Sequence, residues 1–295
     1  MFHCLRGSGD SAEKAKTDAA GALARYFQMT VSANLSTTLQ SVTSGGAAAE
    51  QTTVTDTVQV SSDVQLFALE YTEPYYARKE ARWYCVAYIE REKAWAQYQP
   101  TVENAKTEFY ALKSHAAAES DPLSAWAAYR RVQESAQSFL EKLEFARILD
   151  AQKEAAYAPD RAAVSELPRL IAAEQEKCTV WLSVTGDYAS PVTAALAQTL
   201  AKHGLTVAKS RDGAAYTADA AIETNAAGSD PVSVYPSLDF ALTSAGGKTV
   251  YAAQVKVAQK TVAYTLENAQ KKAFPLLAQQ ADADIGAGLS ELLGN

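Results

Sequence analysis

Ala12, Ala15, Ala19, Leu23 and Tyr26 recur at helical spacing, which predicts a helix over about residues 11–26 whose small side chains lie close against a sheet. Asp10 with Glu13 three positions on reads as a capping box at its start. A short strand, Phe2 to Leu5, and a turn at Gly7-Ser8-Gly9 precede it. From Phe27 to Val42 the pattern becomes an alternation, with Phe27, Met29, Val31, Ala33 and Leu35 on one side and Gln28, Thr30, Ser32 and Asn34 on the other. That predicts a half-buried strand. Thr43 to Thr57, small and polar, reads as a loop. Val64 to Tyr71 and Ala81 to Ile89 then read as two strands joined across Glu73-Pro74-Tyr75-Tyr76.

The middle of the chain differs in kind. Trp95, Tyr98, Val102, Ala105, Phe109 and Leu112 recur at intervals of three and four, as do Leu123, Trp126, Tyr129, Val132, Ala136, Phe139, Leu143 and Ala146. Two amphipathic helices follow, paired as an antiparallel hairpin, with Asp121 as cap and Pro122 at the first helical position of the second. A shorter helix after Pro159-Asp160 leads to Lys177. Thr179 to Thr185 opens a further sheet-and-helix unit: a helix capped by Ser190-Pro191 and ended at Gly204, then strands at 205–208, 218–224, 235–243 and 249–259 with Gly246-Gly247 as a hairpin turn. A last helix from Tyr264 to Leu293 carries Leu266, Ala269, Ala273, Leu276, Ala281, Ile285, Leu289 and Leu292 inward, with Pro275 inside it. The fold class is α+β: two small antiparallel-sheet-plus-helix domains separated by a long helical hairpin.

Composition narrows the function classes. The 295 residues are 48% hydrophobic and 21% charged, enough for two domains with cores of their own. A net charge of −7 without a dense basic run argues against a nucleic-acid partner. Cys4, Cys85 and Cys178 are too scattered for a disulfide framework or a ligand pair, and Cys85 and Cys178 lie in apolar runs that suit inert packing. Cys4 reads as a strand residue, since Met1-Phe2-His3 lacks the apolar stretch of a lipidation signal; any lipid anchor is expected upstream. No apolar run reaches transmembrane length.

Candidate chemistry is sparse. His3, His115 and His203 have no companion motif, so neither a metal nor a cofactor is expected. Ser11-Ala12-Glu13-Lys14 matches S-x-x-K, yet the partner elements of penicillin-interacting enzymes are missing. Gly7-Ser8-Gly9 lacks the third glycine of a dinucleotide fingerprint and the lysine of a phosphate loop. Paired acids such as Glu141 with Glu144, and Asp282 with Asp284, read as solvated helix faces. What remains is aromatic: Tyr71, Tyr75, Tyr76, Trp83 and Tyr84, with Arg78 among them, are of the types enriched at recognition surfaces. The competing reading is that these aromatics fill the sheet's inner face.

Gly7-Ser8-Gly9, the helix Ala12 to Tyr26, Met29-Thr30-Val31-Ser32 and Trp83-Tyr84-Cys85-Val86-Ala87-Tyr88-Ile89-Glu90-Arg91, in that order, resemble the LPP-type module of small bacterial outer-membrane lipoproteins, the twenty-kilodalton antigen family. Its fold also occurs in the amino-terminal part of the flagellar assembly protein T. From about 178 onward, Ala214-Ala215-Tyr216, Leu238 to Leu242, Gly246-Gly247-Lys248-Thr249-Val250 and the alanine-rich last helix are similar to the periplasmic α/β domains of the curli secretion channel protein and the penicillin-binding-protein activators. The resemblance implies a module at 1–91, a helical hairpin at 92–177 and an envelope-type domain at 178–295. It implies association with the cell envelope, in the periplasm or at the outer membrane, and it brings no established active site. The expectation is a non-catalytic scaffold or assembly factor contacting other envelope proteins through Tyr71, Tyr75, Tyr76, Arg78 and Trp83. The alternative is a small-ligand or glycan-binding module using the same aromatics.

Overall fold

The computed structural model describes residues 2–44, 67–228, 231–257 and 261–294. Its architecture is α+β, and the chain divides into two compact units, Met1–Ser114 with Val132–Arg169 and His115–Arg131 with Leu170–Asn295. The loop expected over 43–57 falls almost wholly outside the described residues, as do the start of the expected strand at 64 and the end of that at 249–259.

In the first unit, β1 (Phe2–Gly9) pairs antiparallel with β4 (Arg82–Glu90), whose other side carries β2 (Leu69–Tyr71) and β3 (Tyr75–Ala77). Helix α1 (Ala12–Ser44) packs on one face. The register sets Gly7 opposite Cys85 and Gly9 opposite Trp83, so both glycines share the face on which Cys85, Ala87 and Ile89 are buried. A Cβ at Gly7 would stand 2.1 Å from the Ala19 nitrogen and 2.5 Å from the Ala15 oxygen. The glycines therefore form no turn; they are strand residues that let the helix backbone approach.

The expected strand over 27–42 is overturned, because α1 continues through it to Ser44. Ala15, Ala19, Leu23, Phe27, Val31 and Leu35 are all buried at an unbroken spacing of four, whereas Met29, of the supposed apolar row, is 72% exposed. A spacing of two contains a spacing of four, so every second member of the alternation was a rung of the helix begun upstream. The cap moves as well. Ser11 Oγ accepts the Lys14 N–H at 3.2 Å, and Asp10 instead pairs with the Lys14 ammonium at 2.8 Å.

Helices α2 (Arg91–Ala118) and α3 (Pro122–Leu149) form the expected hairpin. Within the first unit, Phe109 stacks on Phe139 with ring centres 5.8 Å apart, and Tyr98 meets Phe145 at 4.6 Å, an antiparallel pairing. Asp121 caps α3 by accepting the Ser124 N–H at 2.9 Å. After it come α4 (Ala151–Glu154), a 3-10 turn (Ala155–Tyr157), α5 (Ala158–Ser165) and α6 (Leu167–Lys177) in place of one short helix.

A buried ionic network holds α4 and α5 to the hairpin. Glu144 is fully buried, with Arg147 and Arg161 nitrogens each 2.8 Å from its oxygens; the N–H vectors miss those oxygens, so the contacts are ion pairs without hydrogen-bond alignment. Arg161 Nε donates to Glu154 at 2.7 Å. Nearby, Asp160 takes the Lys106 ammonium at 2.9 Å and the Tyr110 hydroxyl at 2.8 Å. Glu144 is thus no solvated helix-face residue, contrary to expectation, whereas Asp282 keeps 40% of its side chain in solvent while it accepts the Thr199 hydroxyl at 2.5 Å and pairs with Lys202 at 3.0 Å.

His3 and Arg91 close the carboxyl end of α3, through His3 Nε2 at 2.8 Å from the Ile148 oxygen and Arg91 Nε donating to the Leu149 oxygen. Burial, opposed by the Ile148 bond and reinforced by Arg91, lowers the His3 pKa. The native protein then binds fewer protons here than the unfolded chain, so stability contributed by neutral His3 falls as pH drops from about 6.5. Urea midpoints measured from pH 7.5 to 5.5 should decline more steeply for the wild type than for His3→Gln. Parallel declines would remove His3 from the account.

In the second unit, β5 (Thr179–Thr185) lies parallel to both β6 (Thr206–Val207) and β7 (Tyr216–Ala227), while β7, β8 (Val232–Ser244), β9 (Thr249–Lys256) and β10 (Thr261–Ala263) join antiparallel in the order β10-β8-β7-β5-β6, with β9 also on β8. The sheet is therefore mixed, because α7 (Ala189–Lys202) carries the chain from β5 to a parallel neighbour. Leu196 and Leu200 of α7 and Phe274, Leu277, Ile285 and Leu289 of α8 (Leu266–Leu293) are buried with Ala218, Phe240 and Leu242 of the sheet. Helix α7 starts one residue before Ser190, after Tyr188 in a left-handed conformation, so Ser190-Pro191 is no cap. Leu266, expected inward, is 44% exposed. Gly204, at φ +80°, ends α7, and Gly247, at φ +81°, turns β8 into β9. No described helix is long and apolar enough to cross a membrane.

Candidate interaction surfaces

Alternation along β4 sorts the first sheet into two faces. Cys85, Ala87 and Ile89 are at most 2% exposed and fill the face toward α1; by register Trp83 with Tyr76, and Tyr71 opposite Ala87, lie on that same face and are only partly covered there, so the aromatics are divided between the two faces. Of the five residues expected to form a surface, Tyr76 and Trp83 are brought together, opposite each other in register with ring centres 5.3 Å apart. Tyr71 is opposite Ala87 at the far end of β2, Tyr75 turns to the outer face opposite Tyr84, and Arg78 is exposed in the turn after β3. Tyr75 is 68% exposed, Tyr76 42% and Tyr71 38%.

Beside Tyr84, the outer face holds Phe2, Arg6 and Tyr88, which were not among the expected surface residues. Phe2 meets Tyr88 edge-on at 5.7 Å, and the Arg6 guanidinium lies over the Tyr84 ring at 5.0 Å. Tyr88 donates its hydroxyl to Glu70 at 2.8 Å, and Tyr84 donates to Glu80. The Tyr88 hydrogen bond, then Lys93, holds the Glu70 carboxyl below its ordinary range, and the same bond raises Tyr88. The signal was present in Trp83-Tyr84-Cys85-Val86-Ala87-Tyr88: its odd positions after the tryptophan are small and its even ones bulky, which separates the faces of β4 though not those of β2 and β3.

Beside Gly9 lies an open trough lined by Ser8, Asp10, Lys14, Asp18, Arg25 and Arg82. Charges of both signs interleave, and the strand's Ser8 N–H already donates to Asp18 at 2.9 Å, so no anion cradle forms. The S-x-x-K pattern is likewise structural. Ser11 caps the helix and the Lys14 ammonium is engaged by Asp10, which leaves no base aimed at the hydroxyl.

In the second unit a cleft of about 210 Å³ is lined by His115, Glu119, Asp121, Ser124, Arg131 and apolar neighbours. Asp121 accepts the buried Tyr216 hydroxyl at 2.6 Å and both the N–H and hydroxyl of Ser124 at 2.9 Å, while the Tyr216 oxygen accepts the Leu123 N–H at 2.8 Å. Desolvation works against the Asp121 carboxylate, but the Tyr216 and Ser124 bonds and Lys248 outweigh it and lower its pKa. Burial first, then Asp121, raises the Tyr216 phenol. With its lone pairs taken by local donors, Asp121 is a clamp on the start of α3. His115 is 71% exposed and only 3.7 Å from Glu119. His3, His115 and His203 are held in separate settings, and among the described residues no three His, Cys, Asp or Glu converge to hold a metal ion. Burial pushes the Cys178 thiol up to about 12, which keeps it unreactive.

No known family model matches the chain, and no curated protein matches it. Among solved structures it is similar to a minor lipoprotein from Acinetobacter baumannii, with 16% identity over 38% of this chain and 95% of that one and a TM-score of 0.27. It is similar also to a secreted protein from Helicobacter pylori, with 11% identity over 95% of this chain and 98% of that one and a TM-score of 0.37. At such values neither likeness carries an argument about function.

Proposed function

We propose that the chain is a bacterial cell-envelope protein, held in the periplasm or at the outer membrane, that acts as a non-catalytic scaffold or assembly factor through contacts with other envelope proteins. The sequence resemblance to the LPP-type module supports the compartment. One observation carries the contact role: Tyr71, Tyr75 and Tyr76 remain exposed on a sheet whose Cys85, Ala87 and Ile89 are buried under α1. Exposed tyrosine beside arginine and tryptophan is the composition of binding hot spots, because large rigid rings bury much area at small entropic cost. Arg78 stands beside these tyrosines in the turn after β3, and Tyr75 shares the outer face with Tyr84.

A photo-crosslinking residue placed at Tyr75 in the chromosomally encoded protein should give one discrete adduct in envelope fractions. The same residue at Gln133, exposed on α3, should give none. Protein found in cytosol alone, or identical products from both positions, would refute the proposal. The close pair Tyr76 and Trp83 also offers a platform on which a sugar ring could stack. A thermal shift with peptidoglycan fragments that vanished in Trp83→Ala would favour that second reading.

A further inference from the structure

Strand β1 is an edge: among the described strands its only hydrogen-bonded neighbour is β4. Two observations fix which of its backbone groups face outward. Val86, opposite Arg6, directs its carbonyl and its N–H to Thr72 on the side away from β1, so Arg6 and Val86 form a non-hydrogen-bonded pair and the Arg6 backbone groups point to the free edge. The Ser8 N–H, two residues on, reaches Asp18 at 2.9 Å instead of β4. By the same alternation the N–H and C=O of Cys4, and the C=O of Phe2, face outward.

Asp18 closes this edge at Ser8, and among the described residues the stretch Phe2 to Arg6 stays open. An open edge is a template for another strand. We propose that a second copy of this chain occupies it, the two β1 strands pairing antiparallel about a twofold axis through Cys4. This register is the one that uses the whole open stretch and nothing beyond it. It sets Cys4 opposite its counterpart and Arg6 opposite Phe2 of the second copy, all on the outer face.

The side chains suit that arrangement. Phe2 is 57% exposed, and Cys4 and Arg6 are exposed. Within one copy Arg6 already lies on Tyr84 and Phe2 already meets Tyr88. Across the axis these halves join into one row, Tyr84, Arg6, then Phe2 and Tyr88 of the second copy, and its twofold mate. Each copy brings a single charge to the seam, a cation laid beside the other's aromatic ring, so no like charges oppose one another there.

The inference is independent of the proposed envelope role. Sedimentation of the full chain in reducing buffer, at about 100 µM because the interface is small, should show a dimer. A bismaleimide of two-carbon span should link the copies through Cys4, whose Cα atoms would sit about 5.5 Å apart. Cys4→Arg places two cations directly opposite and should raise the dimer dissociation constant at least about tenfold. Arg6→Pro removes an outward N–H while sparing the bonds to β4, and should do the same. Circular dichroism and melting temperature report whether each variant is folded. A wild-type chain that stays monomeric at this concentration, or a dimer indifferent to a folded Cys4→Arg variant, would overturn the proposal.

Discussion

Arg161→Ala should destabilise the first unit by about 3 kcal/mol, the lower end of what removing one member of a buried ion pair costs. The reason lies in what would be left behind. Glu144 is fully exposed to no solvent at 0% and Glu154 is 6% exposed, and Arg161 is the cation that touches both, at 2.8 Å and 2.7 Å. Glu144 would keep Arg147, but Glu154 would lose its guanidinium partner, and α5 would lose its tie to α3. Urea unfolding followed by the fluorescence of Trp95, which packs against Tyr157 with ring centres 6.5 Å apart, reads the effect. Adding Glu144→Leu to Arg161→Leu should recover part of the loss, since an apolar pair strands no charge. A change under about 0.5 kcal/mol in Arg161→Ala would mean that the network contributes no more than an ordinary surface pair.

Gly7→Ala and Gly21→Ala should move stability in opposite directions. At Gly7 the added methyl would meet helix backbone at 2.1 Å and 2.5 Å, atoms that cannot rotate aside, so β1 must back away from α1. Overpacking of that kind costs about 1–3 kcal/mol. Gly21 lies within α1, and there the methyl meets only the end of the Arg25 side chain at 3.4 Å. It should gain about 0.5–1 kcal/mol, the advantage of alanine over glycine in a helix. Midpoints of thermal or urea unfolding for the two variants settle the matter. A neutral Gly7→Ala would show that the strand and helix do not need to touch so closely.

What the sequence disclosed depended on how local each cause was. The hairpin stripes were legible because their periodicity runs unbroken for four or more turns, and every member of the α3 stripe is buried. The continuation of α1 was not, because Gln28, Thr30, Ser32 and Asn34 supplied a polar row that fits a strand. Only the ladder carried over from Ala15, Ala19 and Leu23 distinguishes the two. The parallel pairing of β5 with β7 is set by partners more than thirty positions apart and leaves no local mark. The ionic network was invisible for a similar reason. Glu144, Glu154, Asp160 and Arg161 look like ordinary helix-face charges until α5 folds back onto α3. Of the candidate surface, the residue types were legible and the faces were not, since Tyr76 and Trp83 meet while Tyr75 turns away from them.

The pairing of β1 with β4 has a consequence for biogenesis. Phe2 finds its partner only at Glu90, so while a ribosome is still making the intervening segment the first strand has nothing to zip against. During that interval α1 can wind up alone, with the oily ladder from Ala15 to Leu35 uncovered. Until translation has passed Glu90 the nascent chain exposes apolar surface of the kind that invites aggregation.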